Sequence, residues 1–190
     1  MGNLKLVVLG PPSSAEVLRQ IGIQFESYGG FSSVKADNDE EIKELLKEIV
    51  LKQENDTIAL TTSIELYVDN KKVGVPTNVE EARKMLKSLS GKSHCFMTRL
   101  CLGGAGQSLE VASVKTTVVM KELDAGEIER YLAVGDFMYP GGYNPVGKGS
   151  VFVRSVQGDY NNIKGMPISA LTGLLESKYG ITFVNGKNIW

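Results

Sequence analysis

Segments with a strand pattern alternate with segments that have an amphipathic helix pattern, and this order restricts the fold of the chain more than any other feature. Residues 4–9 and 57–68 are runs of strand length with many apolar side chains. Between them, residues 37–53 place apolar side chains on one face of a helix. The order predicts an α/β protein in which helices cover a sheet.

Capping residues predict where several helices begin. Ser13 or Ser14 can cap the first helix, the Thr-Asn-Val-Glu sequence at 77–80 has the pattern of a capping box, and Asp-Ala-Gly-Glu at 124–127 marks another start. Other segments complete the prediction: strands at residues 23–28, 151–156, 160–163 and 181–184, and a hairpin that turns at residues 103–106.

A glycine-rich stretch at residues 142–148 has the Gly-x-x-x-x-Gly-Lys spacing of a P-loop. In a P-loop the next element is a helix, whose free N–H groups face the phosphate. Here Gly149 and Ser150 lead into the alternating, strand-like residues 151–156, and Gly149 stands where the metal-binding Ser or Thr belongs. The context argues against a P-loop.

The chain has 190 residues, of which 42% are hydrophobic and 23% charged, and this predicts one soluble domain over residues 1–190. The net charge of −1 argues against a nucleic-acid surface, which would need a clustered basic excess. No apolar run is long enough to span a bilayer, and residues 1–9 do not resemble a signal peptide. No membrane partner is therefore expected.

The two cysteines, Cys95 and Cys101, lie in one predicted strand. At ~3.3 Å per residue they are about 20 Å apart, too far to form a disulfide with each other. Free thiols without a signal peptide predict a cytoplasmic protein.

Short motifs follow one another in a fixed order over roughly residues 4–175. They include Gly74-Val-Pro76, Glu80-Glu-Ala82, Ser90-Gly-Lys-Ser-His94, Lys115-Thr-Thr117, Glu127-Ile-x-x-Tyr131, Gly141-Gly-Tyr143, Gly158-Asp-Tyr160 and Gly165-Met-Pro167. Each motif is weak alone, but together and in this order they resemble the Maf proteins, nucleoside triphosphate pyrophosphatases first named for septum formation.

The resemblance implies a Maf-like fold, with a mixed, twisted sheet flanked by helices and two lobes around a central cleft. It also implies hydrolysis of a nucleoside triphosphate to the monophosphate and pyrophosphate. The family uses a divalent metal, so Mg²⁺ or Mn²⁺ is expected only if hydrolysis is retained. A homodimer and a nucleotide ligand are further expectations from the resemblance.

The chain departs from the family at residues that handle charge. Residues 9–14 read Leu-Gly-Pro-Pro-Ser-Ser where the family has Ser-x-Ser-Pro-Arg-Arg, so Ser13 and Ser14 replace two arginines. The family aspartate that is thought to activate water falls on Thr61 or Ser63. Losing a general base typically lowers a rate ~10²–10⁴-fold. Hydrolysis is therefore predicted to be weak or absent.

At three further positions where the family has polar residues, this chain has other side chains. Val75 and Tyr139 stand where the family has lysines, and Val146 stands where it has glutamine. A triphosphate needs cations around it. The replacements predict a protein that binds a nucleotide or a similar ligand without efficient cleavage.

Candidate site residues follow from these positions. Glu65 is the candidate catalytic residue, because it is the only carboxylate in the long predicted strand and could act as a displaced base. No cluster of Cys, Asp or His predicts a metal site, and His94 is expected to be a hydrogen-bonded structural residue. The candidate substrate-binding residues offer hydroxyls, aromatic rings or a cation: Ser13, Ser14, Thr61, Thr62, Ser63, Tyr139, Tyr143 and Lys148.

These candidates also have structural interpretations, as helix caps, strand formers, packing residues or a solvated loop tip. Three hypotheses follow. The chain binds a nucleotide with weak or no hydrolysis, or it is an active pyrophosphatase that uses displaced groups such as Glu65 and Lys148. Alternatively, it is a non-catalytic protein-interaction or regulatory module on the same fold.

Overall fold

The computed structural model describes residues 5–30, 34–53, 56–104 and 106–181. They form a mixed seven-stranded sheet flanked by five α-helices. The strands are β1 (Lys5–Leu9), β2 (Glu26–Ser27), β3 (Thr57–Val68), β4 (Lys71–Val73), β5 (Ser93–Gly104), β6 (Glu110–Met120) and β7 (Val153–Gln157). The helices are α1 (Pro12–Gln20), α2 (Asp39–Val50), α3 (Val79–Leu89), α4 (Ala125–Val134) and α5 (Ile168–Tyr179).

The sheet has the strand order β2-β1-β3-β5-β6-β7, and β4 pairs with β3. β1 runs parallel to β2 and β3, with Val8 opposite Leu60 and Leu9 opposite Thr61. β4 and β7 run antiparallel to β3 and β6. The predicted α/β class and mixed sheet are confirmed.

Internal contacts divide the chain into two compact units. Among the described residues, the first contains those within 5–64, 98–114 and 164–181, and the second contains Glu65–Met97 and Lys115–Ile163. The long strands β3, β5 and β6 therefore contribute residues to both units.

The central strands of the first unit are buried on both faces. Val8 and Leu60 pack in one apolar layer with residues of α1 and α5. Val7 and Ala59 pack in the opposite layer with residues of α2. Parallel strands that are covered on both sides are apolar at successive positions rather than alternating. This explains why residues 4–9 form an apolar run.

In the second unit, helices α3 and α4 pack against each other. Leu86 of α3 and Ile128 of α4 are buried. The predicted start of α4 is confirmed, because the Asp124 side chain accepts from the Glu127 N–H and the Glu127 side chain accepts from the Asp124 N–H. The capping box supplies partners to N–H groups that the helix itself leaves unbonded.

Two predicted caps are wrong. The N-cap of α1 is Pro11, so Ser13 and Ser14 lie inside the first turn of the helix. Proline suits this entry because its φ is already fixed near the helical value. The N-cap of α3 is Asn78, one residue later than predicted, and its side chain accepts from the Glu81 N–H.

The predicted strands at residues 23–28 and 160–163 also need correction. In the strand predicted at 23–28, only Glu26 and Ser27 pair with another strand. They form the edge strand β2, which pairs with β1 alone. Tyr160–Lys164 forms a short 3₁₀ helix in place of the second, since Asp159 accepts the N–H groups of the residues that follow it. Most of the strand predicted at 181–184 lies outside the described residues.

The strand predicted at 151–156 begins later, at Val153, after a short 3₁₀ helix over Lys148–Phe152. Both cysteines lie in β5 and neither forms a disulfide. Among the described residues, no helix combines the length and the apolar character that crossing a membrane requires.

Candidate functional site

Strand geometry separates three adjacent hydroxyls of the first unit that the sequence analysis grouped together. Successive side chains of a strand point to opposite faces of the sheet. Thr62 therefore shares a face with Leu60, in the layer of α1 and α5, whereas Thr61 and Ser63 share the face of Ala59, in the layer of α2. The three residues belong to two different environments.

The turn between β1 and α1 brings a glycine close to a buried hydroxyl that has no partner in the described chain. Gly10 lies there, and a Cβ added to it would be 2.8 Å from both Ser14 Oγ and Thr62 Oγ1. The Thr62 hydroxyl is buried and has no hydrogen-bond partner among the described residues. Helix α1 starts beside it without a side-chain cap from the described chain. An unbonded hydroxyl and a helix N-terminus thus meet at Gly10.

Ser13 and Ser14 use their hydroxyl protons within the protein. Ser13 Oγ donates to the Lys164 carbonyl at 2.7 Å, and Ser14 Oγ donates to the Pro11 carbonyl at 2.6 Å. A hydroxyl carries a single proton. In this arrangement the two serines hold the turn in place and do not donate to a ligand.

The opposite face carries a hydrogen-bonded cluster around Ala36. Ser63 Oγ accepts from the Ala36 N–H at 3.2 Å and lies 3.3 Å from the Ala36 carbonyl, to which it donates. Arg99 Nη1 donates to the same carbonyl at 3.4 Å, and Arg99 Nε lies 3.7 Å from Asp39 Oδ1. The neighbouring Thr61 hydroxyl is buried and unbonded within the described chain.

Arg99 is a cation that the sequence analysis missed. Its side chain is only 14% exposed, although arginine is seldom buried unless it is paired. The signal in the sequence was a charged residue in a strand, two positions before the buried Cys101 and so on the same face.

Glu65, the candidate catalytic residue, is buried in the second unit with 4% of its surface exposed. Tyr67 Oη donates to Glu65 Oε2 at 2.9 Å, and the Lys72 ammonium contacts Oε1. A buried carboxylate is stable when it is paired and hydrogen-bonded. Glu65 is therefore placed as an ion-pair partner across the β3–β4 hairpin.

The N–H groups of the glycine-rich loop in the second unit already have partners. The Val146 and Gly147 N–H groups donate to Asn144 Oδ1 at 3.2 and 3.0 Å. The Lys148 N–H donates to Asp136 Oδ2 at 2.9 Å, and the Asn144 side-chain amide donates to Asp136 Oδ1. The acceptors of these three N–H groups are thus side-chain oxygens of the chain itself, the Asn144 amide oxygen and the Asp136 carboxylate.

Steric contacts explain two glycines of this loop. A Cβ on Gly149 would lie 2.6 Å from the Asn144 carbonyl oxygen and 2.9 Å from a ring carbon of Tyr143. A Cβ on Gly147 would lie 2.3 Å from the Asn144 side-chain nitrogen. Close packing accounts for these glycines without a phosphate.

Tyr143 is fully buried, and its hydroxyl lies 2.5 Å from His94 Nε2. Burial lowers the pKa of His94 to about 4, so the ring is neutral at pH 7. The expectation that His94 is a hydrogen-bonded structural residue is confirmed. Burial also raises the pKa of Tyr143, and the pair holds the loop against β5.

Tyr139 and Lys148 remain accessible in the second unit. Tyr139 is 42% exposed, and Val75 is 46% exposed. The Gly141 N–H donates to the Gly74 carbonyl at 3.1 Å and joins the two segments that carry these side chains. Lys148 is exposed.

The described residues show no cluster of ligands for the divalent metal that the resemblance implies. Magnesium prefers oxygen ligands and usually one or two carboxylates. Among the described residues, no group of three or more His, Cys, Asp or Glu side chains could hold a metal ion. Glu65 is engaged by Lys72 and Tyr67, and Ser63 offers only a neutral hydroxyl that is bonded to Ala36.

Comparisons with known proteins agree with the motif order. A family model described as Maf-like protein matches residues 12–178. A dTTP/UTP pyrophosphatase of Pyrococcus furiosus is 36% identical over 130 residues, which cover 68% of this chain and 67% of that protein. A protein of the same name from Desulforamulus reducens is 33% identical over 184 residues, or 91% and 95% of the two chains. Another, from Ruminiclostridium cellulolyticum, is 30% identical over 175 residues, or 87% and 91%.

Proposed function

The chain belongs to the Maf-like protein family, and from this premise we propose that it binds a nucleotide through its phosphates, with weak or no hydrolysis. The relatives named dTTP/UTP pyrophosphatase make UTP and dTTP the first ligands to test. The proposed contact lies in the first unit, at the start of α1.

One observation carries the binding part of the proposal. The Thr62 hydroxyl is buried and unbonded in the described chain, and it lies at Gly10, next to the N-terminus of α1. A buried polar group without a partner costs about 1–3 kcal/mol. A phosphate oxygen would accept from this hydroxyl. Pro11 and Pro12 carry no N–H and the Ser14 N–H donates to the Pro11 carbonyl, so α1 would add mainly the positive end of its dipole.

The weak-hydrolysis part rests on groups that are neutral or already bonded. Glu65 has two partners, Ser63 is bonded to Ala36, and the hydroxyls of Ser13 and Ser14 donate to carbonyls. Removing one donor that stabilises developing charge typically lowers a rate ~10²–10³-fold. With Glu65 paired and with serines in place of arginines at residues 13 and 14, the chain is expected to turn over slowly.

The test compares two adjacent threonines. UTP, dTTP and pyrophosphate are titrated by calorimetry into the wild type, Thr62→Val and Thr61→Val. Because a hydrogen bond to a charged group contributes ~1.5–3 kcal/mol, Thr62→Val should weaken binding at least about 10-fold. Thr61→Val is the matched control, since its hydroxyl is equally buried and unbonded in the described chain but lies on the opposite face. Equal affinity for all three proteins would refute the proposed contact.

Pyrophosphate release in Mg²⁺ or Mn²⁺ separates the remaining possibilities. Fast release that Glu65→Gln abolishes would support an active pyrophosphatase and overturn the proposal of weak hydrolysis. Binding without release supports the proposal.

A second candidate function is a protein-interaction or regulatory module. It is favoured by large apolar side chains that are exposed in the second unit: Val75, Val79, Val134, Met138, Tyr139, Val151 and Tyr160. Scattered exposed hydrophobic residues are common in soluble proteins, so this observation is weaker than the Thr62 hydroxyl. Absence of both nucleotide binding and turnover would favour the second candidate.

We also propose, from the resemblance, a cytoplasmic homodimer that unfolds as one domain. Sedimentation equilibrium would measure the dimer. Coincident loss of helix signal and of tyrosine fluorescence on heating would support a single cooperative domain.

A further inference from the structure

A cavity of about 470 Å³ lies in the first unit, between the C-terminal half of α2 and the turn that joins β5 to β6. Cavities of roughly 300–1,000 Å³ are typical for small ligands. The α2 side contributes Lys43, Lys47, Val50 and Leu51. The turn contributes Gly104, Gly106, Gln107, Ser108 and Leu109.

The α2 side of the cavity changes from charged to apolar along the helix axis. Lys43, Lys47 and Leu51 are spaced by four residues and so lie on one face. At 1.5 Å per residue, this stripe runs for ~12 Å, with the cations at one end and the apolar side chain at the other. The stripe matches a ligand that has a negative head and an apolar tail.

Leu51 is the clearest sign that something apolar belongs there. It is 84% exposed, the largest value among the large hydrophobic side chains found exposed in the described residues. Val50 and Leu109 line the same cavity, so a tail placed there would cover apolar surface on both walls.

The two lysines can turn towards a ligand at little cost. Lys43 Nζ lies 3.0 Å from Glu40 Oε1, and Lys47 contacts Glu44. Both pairs join residues three apart on the exposed face of one helix, and such pairs stabilise a protein only slightly. A carboxylate that is partly shielded from water in the cavity would compete with them.

This cavity is separate from the proposed phosphate contact. Gly104 lines the cavity and lies close to Thr57 at the start of β3. A Cβ added to Gly104 would lie 3.0 Å from the Thr57 carbonyl oxygen. Thr62 lies five residues further along the strand, or ~16 Å away at 3.3 Å per residue. The two sites lie near opposite ends of the strand segment in this unit.

We propose that this cavity binds a small amphipathic carboxylate, with its negative head at Lys43 and Lys47 and its apolar tail along Val50, Leu51 and Leu109. The inference does not depend on the nucleotide function, because none of its residues belongs to the phosphate contact.

Octanoate is a suitable probe, and ¹H–¹⁵N spectra of the intact chain give the readout. Octanoate should shift the amide signals of Leu51, Gly104 and Gln107 in a saturable way. Acetate, which lacks the tail, and octylammonium, which has the opposite charge, should leave these signals in place. Equal shifts with octylammonium would overturn the charge match.

Paired variants test the lysines. Lys43→Gln/Lys47→Gln should weaken octanoate binding at least tenfold, whereas Lys84→Gln/Lys87→Gln on α3 should not change it. The control removes the same charge from another exposed helix face. Spectra without ligand verify that both variants are folded. Octanoate shifts that spread over the protein, or affinity unchanged in the first variant, would refute the site.

Discussion

The turn at residues 9–14 and the loop at residues 140–149 both combine glycine, proline and polar side chains. They differ in whether the polar groups nearby are hydrogen-bonded within the described chain. At the turn, the Thr62 hydroxyl beside Gly10 stays unbonded within the described chain. In the loop, Asn144 and Asp136 accept the N–H groups that a phosphate would need. The comparison teaches that glycine spacing alone does not indicate an anion site.

The glycines of the turn and of the loop also border different kinds of atoms. At Gly10, the atoms that a Cβ would meet are the ends of two polar side chains. At Gly149, they include the main-chain oxygen and nitrogen of Asn144. Close packing therefore favours glycine at both positions, against side-chain hydroxyls at Gly10 and against backbone at Gly149.

The largest expected effect concerns the anchor of the loop, the pair of His94 and Tyr143. The pKa of His94 is about 4 in the folded protein and 6.5 in its ordinary state, so its contribution to stability is complete above pH 6.5 and is lost as pH falls towards 4. At about 1.4 kcal/mol per pKa unit, the loss approaches ~3 kcal/mol. Urea unfolding between pH 7 and pH 4 measures it.

The double variant His94→Leu/Tyr143→Phe is the control for this prediction. It removes both polar partners together, so no buried group loses its partner, and it removes the only histidine of the chain. Its unfolding free energy should fall less than that of the wild type over the same pH range. Parallel curves would contradict a neutral, buried His94.

The next effect tests packing at the loop. Gly149→Ala should lower the unfolding free energy by about 2 kcal/mol, because backbone atoms cannot move aside as a flexible side chain can. Gly173→Ala in α5 is the matched control: no described atom lies within 4 Å of the new methyl group, and alanine is the better helix former by up to about 1 kcal/mol. Denaturant midpoints should shift in opposite directions.

The third prediction frees an N–H group of the loop, so that the loop resembles the turn in having an unbonded polar group. Asp136→Ala removes the acceptor of the Lys148 N–H, and the unfolding free energy should fall by about 1.5 kcal/mol. Because the N–H is then free, added inorganic phosphate should restore part of the thermal stability. A variant that phosphate does not protect would show that the loop cannot form an anion site even when its own carboxylate is removed.

The smallest effect sharpens the description of the turn. Thr62→Val and Thr61→Val should each raise the unfolding free energy by about 1 kcal/mol, because each removes a buried hydroxyl that is unbonded in the described chain. Only Thr62→Val should also weaken nucleotide binding. A loss of stability in either variant, measured by urea unfolding, would indicate that the hydroxyl has a partner.

Regular elements with local signals were predictable. The bounds of β3 are those predicted, Thr57–Val68, because a long run rich in apolar and β-branched residues ends at Asp69 and Asn70. These two residues adopt left-handed φ values of 48° and 61° in the turn to β4. The capping box of α4 was likewise visible in four consecutive residues.

Contacts between distant residues were not predictable. The Ser13 hydroxyl donates to the carbonyl of Lys164, 151 residues later in the chain. The Arg99 side chain reaches Ala36, 63 residues earlier in the chain. The N-cap of α1 was missed because Pro11 and Pro12 precede two serines that looked like better caps.

The sequence by itself determined the family, the α/β class and the order of most strands and helices, because motif order, periodicity and turn chemistry depend on neighbouring residues. Only the tertiary structure decided which polar groups are free. Ser13 is bonded to Lys164, Ser63 to Ala36, and Thr62 to nothing in the described chain. The physical reason is that a hydroxyl has one proton to donate, and the fold alone decides which distant carbonyl receives it.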